Sequence, residues 1–228
     1  MRTVLVHGLA GSSRWWRDVE SQLGDLEVDA LDLPRRGRLE ELEEWLAARL
    51  EPPAALVGHS FGGLLAALVA ARRADLVERL VLIAPVGLPA RPPLAHVLPL
   101  AHALVQMRPR FAPVLLRDAL RAGPRGLWSR AQAALAADLR EELGGVRAPT
   151  LLLWGERDRL VPAANAAVWA AALPAARIEL LPGAGHVPMV ERPDEVSRLL
   201  REFLQAPPRL ARPPEDASSG PHGRLRRS

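Results

Sequence analysis

The chain has 228 residues, 49% of them hydrophobic, enough for one α/β domain that buries roughly 70–75% of its unfolded surface and rather short for two. All 30 basic residues are arginine, yet the net charge is only +4, of which five arginines against Glu215 and Asp216 place +3 in the segment from Ala206 onward; the body is near +1, which argues against a nucleic-acid partner. Zero cysteines exclude disulfides, thiolate metal sites and a cysteine nucleophile, while the opening "MRTVLVHG" runs straight into an apolar strand with no room for a signal peptide, so a cytoplasmic location is expected.

In chain order, six short apolar runs read as strands: "TVLVHG" (3–8), "EVDALDLP" (27–34), "PAALVGHS" (53–60), "LVLIAP" (80–85), "TLLLWGE" (150–156) and "RIELLPG" (177–183). Several are apolar on consecutive residues, as parallel strands covered on both faces are. Helices are expected at 15–23, 39–50, 61–73, 163–172 and 193–204. The alternation predicts a doubly wound, mostly parallel α/β sheet.

Residues 86–148 break this rhythm: they are rich in proline, carry no strand pattern and are longer than a crossover requires. The runs at 94–107, 111–123 and 128–143 predict three or four short apolar helices inserted as a lid, dividing the core into 1–85 and 149–205. The first run, about 14 residues, falls short of the roughly 20 needed to span a bilayer, so no stable membrane insertion is expected. From 206 to 228 the composition shifts to Pro, Arg, Ser and Gly without periodicity, which predicts a disordered tail. Nothing in the sequence specifies an oligomeric state.

Gly58-His59-Ser60-Phe61-Gly62 is a G-x-S-x-G pattern between a strand and a helix, the context in which a tight turn lifts a serine above the carboxyl ends of the strands. The bland alternative is a serine N-cap in a glycine-rich turn. A nucleophilic serine needs a base and an acid that orients it. Asp158 in "LLLWGERDRLVP" and His186 in "LLPGAGHVPMVERP" each follow a strand, in the order Ser, Asp, His. Glu156 competes with Asp158, which could also be a turn or cap residue. An acyl-transfer intermediate needs two backbone N–H donors, for which Phe61 and, in "LVHGLAGSSRWW", Leu9 are the candidates. His7 is expected to support that loop by hydrogen bonding, His59 to pack under the turn, and Trp15 and Trp16 to be packing residues. His96 and His102 lack metal-ligand partners at suitable spacing.

With these segments in place, the sequence resembles the α/β-hydrolase superfamily, in particular its small serine esterases. "HGLAGSSRWW", "DLPRRGR", "GHSFGG", "WGERDRLVP" and "PGAGHVPMVERPDEV" match that family in order, over roughly residues 3–204. The "RRGR" turn departs from the family's usual glycine-serine turn, so the rim near Arg35–Arg38 is expected to be unusual. The resemblance implies Ser60 as nucleophile, His186 as base, Asp158 as its orienter, and Leu9 and Phe61 as the oxyanion hole, with no cofactor and no metal. A serine nucleophile points to acyl transfer, and the expected activity is cleavage of a carboxylic ester of a small to medium apolar substrate through an acyl-enzyme, since the lid residues Met107, Phe111 and Trp128 are placed to line an apolar pocket. Lactone, thioester and carbon–carbon bond cleavage on the same fold stay open, as does a ligand-binding relative without turnover.

Overall fold

The structure, a computed structural model, describes residues 1–88, 111–173 and 175–207. Six strands, β1 (Arg2–Val6), β2 (Val28–Leu31), β3 (Ala54–His59), β4 (Val77–Ile83), β5 (Thr150–Gly155) and β6 (Ala176–Leu181), form one sheet in the order β2-β1-β3-β4-β5-β6, every neighbouring pair parallel. Between them lie α1 (Arg17–Gln22), which continues a 3-10 turn at Ser13–Trp16, α2 (Leu39–Ala47) and α3 (Phe61–Arg72). Then follow α4 (Ala112–Ala136), α5 (Asn165–Ala172), α6 (Pro188–Glu191) and α7 (Pro193–Gln205).

Because side chains alternate across a strand, each apolar run feeds two cores. Val4 and Val6, Leu56, Leu80 and Leu82, and Leu152 and Trp154 pack with α2, α3 and α5 on one face. Leu5, Val57, Val81 and Ile83, and Leu151 and Leu153 pack with Trp15, Trp16 and α7 on the other. Both faces of these inner strands are covered, which is why they read as continuous apolar stretches, whereas the edge strands β2 and β6 are only partly buried. The chain turns outward from β1 to β2 and then crosses back to β3. The β1–β3 junction is therefore the switch point where open parallel sheets form a crevice at their carboxyl ends.

The inserted region differs in detail from the expectation of several short helices. Residues 112–136 form one helical run with a kink at Gly123 (φ 67°, ψ 159°), followed by Pro124. Proline has no N–H to continue the ladder and its ring disfavours a helical residue before it, so glycine takes up the irregular turn. Beyond Ala136 only a 3-10 turn at Glu142–Gly145 remains helical before β5. The run expected at 94–107, with Met107, His96 and His102, and the tail from 208 lie outside the described residues. Among the described residues no helix is long and apolar enough to cross a membrane.

Candidate active site

Ser60 sits between the end of β3 and the start of α3, with φ 52° and ψ −112°, a conformation that costs a non-glycine residue about 1–3 kcal/mol. The surroundings hold it there. Its N–H donates to the Ile83 carbonyl at 2.9 Å, and its own carbonyl accepts from Leu64 N–H at 3.1 Å. The flanking glycines are required by close approach: a Cβ on Gly58 would lie 2.4 Å from the Gly62 carbonyl oxygen, and one on Gly62 would lie 2.5 Å from the His7 carbonyl oxygen.

Loops after β5 and β6 bring Asp158 and His186 to this serine. The Ser60 Oγ is 3.1 Å from His186 Nε2, and His186 Nδ1 is 2.8 Å from Asp158 Oδ2. All three residues are buried. A carboxylate facing Nδ1 requires the proton on that nitrogen, which leaves Nε2 as the acceptor for the Ser60 hydroxyl. The other oxygen of Asp158 accepts the N–H groups of Leu160 and Val161, each at 2.9 Å, so the carboxylate is fixed by its own turn. Glu156, the competing acid, is exposed and accepts Gly183 N–H at 3.2 Å instead.

The two loops nearest Ser60 are built around neutral histidines. His7 Nδ1–H donates to the Gly8 carbonyl at 2.8 Å, while its Nε2 accepts Leu33 N–H at 3.1 Å. Burial lowers its pKa from 6.5 to about 4, so the imidazole keeps one proton and both bonds. Because a peptide is planar and trans, fixing the Gly8 carbonyl also fixes the direction of the Leu9 N–H. His59 is buried beneath the serine turn, its Nε2–H donating to the His186 carbonyl at 2.9 Å. Burial first, and the nearby His186 second, push its pKa well below 6.5. The Phe61 N–H is the first of α3, where no acceptor exists within the helix and the helix dipole favours negative charge.

Three contributors had no sequence signal of their own. Glu191 in α6 accepts Gly185 N–H at 2.5 Å and Val187 N–H at 3.0 Å, gripping the backbone on both sides of His186. Its spacing after the histidine, inside "GHVPMVE", was the only available hint. Asp118 and Arg130 of α4 are buried and reach the loop after β1, although charged residues on an inserted helix read as a solvent face.

The apolar pocket residues fare differently from the triad. Phe111 is buried and packs edge-on against Trp15, ring centroids 5.5 Å apart. It borders a cleft of about 200 Å³ shared with Trp15, Val114 and Met189, a cleft whose lining does not include Ser60. Trp128 is 67% exposed, and it is not among the residues that line that cleft. The buried stripe of α4 runs through Asp118, Gly126 and Arg130, and a residue two positions from Gly126 turns to the opposite side of a helix. Among the described residues no cluster of three or more histidine, aspartate or glutamate side chains could hold a metal ion.

The fold and this arrangement define a class, and comparison with known proteins bears it out. The alpha/beta hydrolase family model matches residues 3–199, so the chain belongs to that family and is an enzyme of it. It is 27% identical to the pimeloyl-acyl-carrier-protein methyl ester esterase of Neisseria meningitidis serogroup C, covering 90% of this chain and 93% of that protein. It is 30% identical to the enzyme of the same name from Nitrosomonas europaea, covering 84% and 91%. The enol-lactonase of Burkholderia xenovorans LB400 superposes with a TM-score of 0.74 at 24% identity over 90% of this chain and 92% of that one, a likeness of fold alone.

Proposed function

We propose that the chain hydrolyses a carboxylic ester of a small to medium apolar substrate through an acyl-enzyme on Ser60. The observation that carries this reading is the buried relay from Ser60 Oγ through His186 to Asp158, at 3.1 and 2.8 Å, with the serine held in a strained turn. As Oγ attacks the ester carbonyl, His186 Nε2 takes its proton, and Asp158 stabilises the imidazolium that forms. The oxyanion of the tetrahedral intermediate lies between the Leu9 and Phe61 N–H groups, donors already oriented before reaction. Collapse expels the alcohol, which receives the proton from His186. Water then attacks the acyl group by the same route, and Ser60 is regenerated.

The names of the relatives from Neisseria and Nitrosomonas, both esterases, support the choice of an ester. In this reading residues 1–85 and 149–205 are the hydrolase core, 86–148 a helical lid and 206–228 a tail. Hydrolysis of a series of p-nitrophenyl esters tests it: wild type releases nitrophenol from at least one chain length and Ser60→Ala does not. Equal release by both proteins would overturn it.

A further inference from the structure

A helical lid is expected to choose substrates and leave the chemistry to the core, yet the polar groups of α4 point at the chemistry. Arg130 is only 4% exposed. Its Nη1 donates to the Leu9 carbonyl at 3.3 Å, and its Nη2 donates to the Pro34 carbonyl. Among the described residues no carboxylate is paired with it, and burial lowers its pKa with no acidic neighbour opposing. Twelve positions earlier, Asp118 is 1% exposed, and its Oδ2 accepts Ser12 Oγ–H at 2.7 Å and Trp15 Nε1–H at 3.0 Å. Between the two, Arg121 donates to Asp32 at 2.5 Å, and Asp32 accepts Ser13 N–H at 2.7 Å. Gly126 lets α4 close on the loop after β2, since a Cβ there would sit 2.7 Å from the Arg35 carbonyl oxygen.

Burying an arginine against two carbonyls and no carboxylate is costly, and apolar side chains at these positions would seat a helix at lower cost. What the charged residues add is direction. The loop 8–15 carries the Leu9 N–H. From below, His7 and the Gly11 N–H both donate to the Gly8 carbonyl, at 2.8 and 3.1 Å, which sets the plane of the Gly8–Leu9 peptide. From above, Arg130 holds the next carbonyl, and Asp118 holds the loop's far end.

We infer that α4 is a positioning element for the oxyanion hole, with Arg130 and Asp118 aiming the Leu9 N–H by gripping the loop 9–15 from the lid side; this rests on the proposed ester hydrolysis at Ser60. The two residues are positioning residues, acting through the loop. They serve the transition state and leave ground-state binding of a small ester alone, so their loss acts on kcat.

The test is kinetic, on p-nitrophenyl acetate, with active sites counted by fluorophosphonate uptake. Removing a whole oxyanion donor costs about 100- to 1,000-fold; Arg130→Met, which only loosens one, is expected to lower kcat about 10-fold with KM within about twofold. Affinity for a trifluoromethyl ketone, which forms the tetrahedral adduct, should fall by the same factor, and Arg130→Lys should recover part of both. Ser12→Ala, a small change that removes one bond to Asp118, should lower kcat about threefold in the same pattern, and it stands in if Arg130→Met does not fold. A rise in KM at constant kcat, or variants with normal kcat per titrated site and normal ketone affinity, would overturn the inference. A wild type that takes up no fluorophosphonate would instead bring down the hydrolase reading, and the inference with it.

Discussion

Helices α3 and α4 both look apolar in sequence, and they are held in the molecule by opposite means. In α3, ten of the twelve residues are buried, running unbroken from Phe61 to Ala70. In α4, the buried residues are an aspartate, a glycine and an arginine, while Leu116, Leu120 and Trp128 stand in solvent. The first helix is fixed by area removed from water, which is strong and indifferent to direction. The second sets only partly buried apolar side chains, Val114, Leu115, Ala133 and Ala134, against the two cores, and its fully buried side chains make a few directional bonds, which specify position more closely.

The largest expected effect lies where α3 begins. Ser60→Ala should keep the circular dichroism spectrum and lose several orders of magnitude in turnover. Asp158→Asn, which permits the wrong tautomer of His186, should cost about 10,000-fold, and Glu156→Gln should leave kcat nearly unchanged; the reverse ranking would reassign the acid. On stability, Leu65→Ala in the middle of α3 should lower the unfolding free energy by about 2–5 kcal/mol, read from urea melts. A loss below about 1 kcal/mol would break the contrast from the α3 side.

The loop after β1, which meets α3 at Gly62 and α4 at Arg130, supplies a pH dependence. His7 takes a proton near pH 6.5 when unfolded but only near pH 4 when folded, so the unfolded state binds more protons across that window. The stability it contributes is complete above about pH 6.5 and is lost as pH falls toward 4, at most about 3 kcal/mol. His59, shifted in the same direction, steepens the loss. Urea midpoints measured between pH 4 and 7.5 should fall on the acid side, less steeply in His7→Gln than in wild type. The smallest effect belongs to the outer face of α4: Leu120→Ala, at a side chain 74% exposed, should change stability by no more than about 0.5 kcal/mol.

What the sequence made legible divides along the same line. Consecutive apolar residues located the inner strands β1, β3, β4 and β5, which are covered on both faces and so show no polar alternation; the edge strands β2 and β6 are only partly buried and were located by the turn residues that bound them. Ser60, Asp158 and His186 were legible because each needs a fixed local context: a glycine-flanked turn for the serine and a strand end for its partners. The structure brings these three together, and it puts His7 and His59 in the supporting positions expected for them. The short helix α6 was missed because four residues carry no period. Asp118 and Arg130 were missed because their partners are groups that only the tertiary fold brings near: Leu9 and Pro34 lie 121 and 96 residues from Arg130, and Ser12 and Trp15 lie 106 and 103 residues from Asp118. Glu191 was missed although its partners are local, the N–H groups of Gly185 and Val187, because a glutamate bonding nearby backbone leaves no pattern in the sequence. Trp128, expected as a pocket-lining lid residue, is 67% exposed, because the kinked helix turns it away from the buried stripe.

The central claim, that Ser60 is a nucleophile activated by His186, can be tested by covalent labelling. Incubation of the full chain with a fluorophosphonate, followed by intact mass measurement and peptide mapping, should show one adduct per chain, on Ser60, formed in step with loss of esterase activity and absent from Ser60→Ala. Unmodified Ser60 after complete inactivation, or the same adduct on the Ser60→Ala chain, would contradict it.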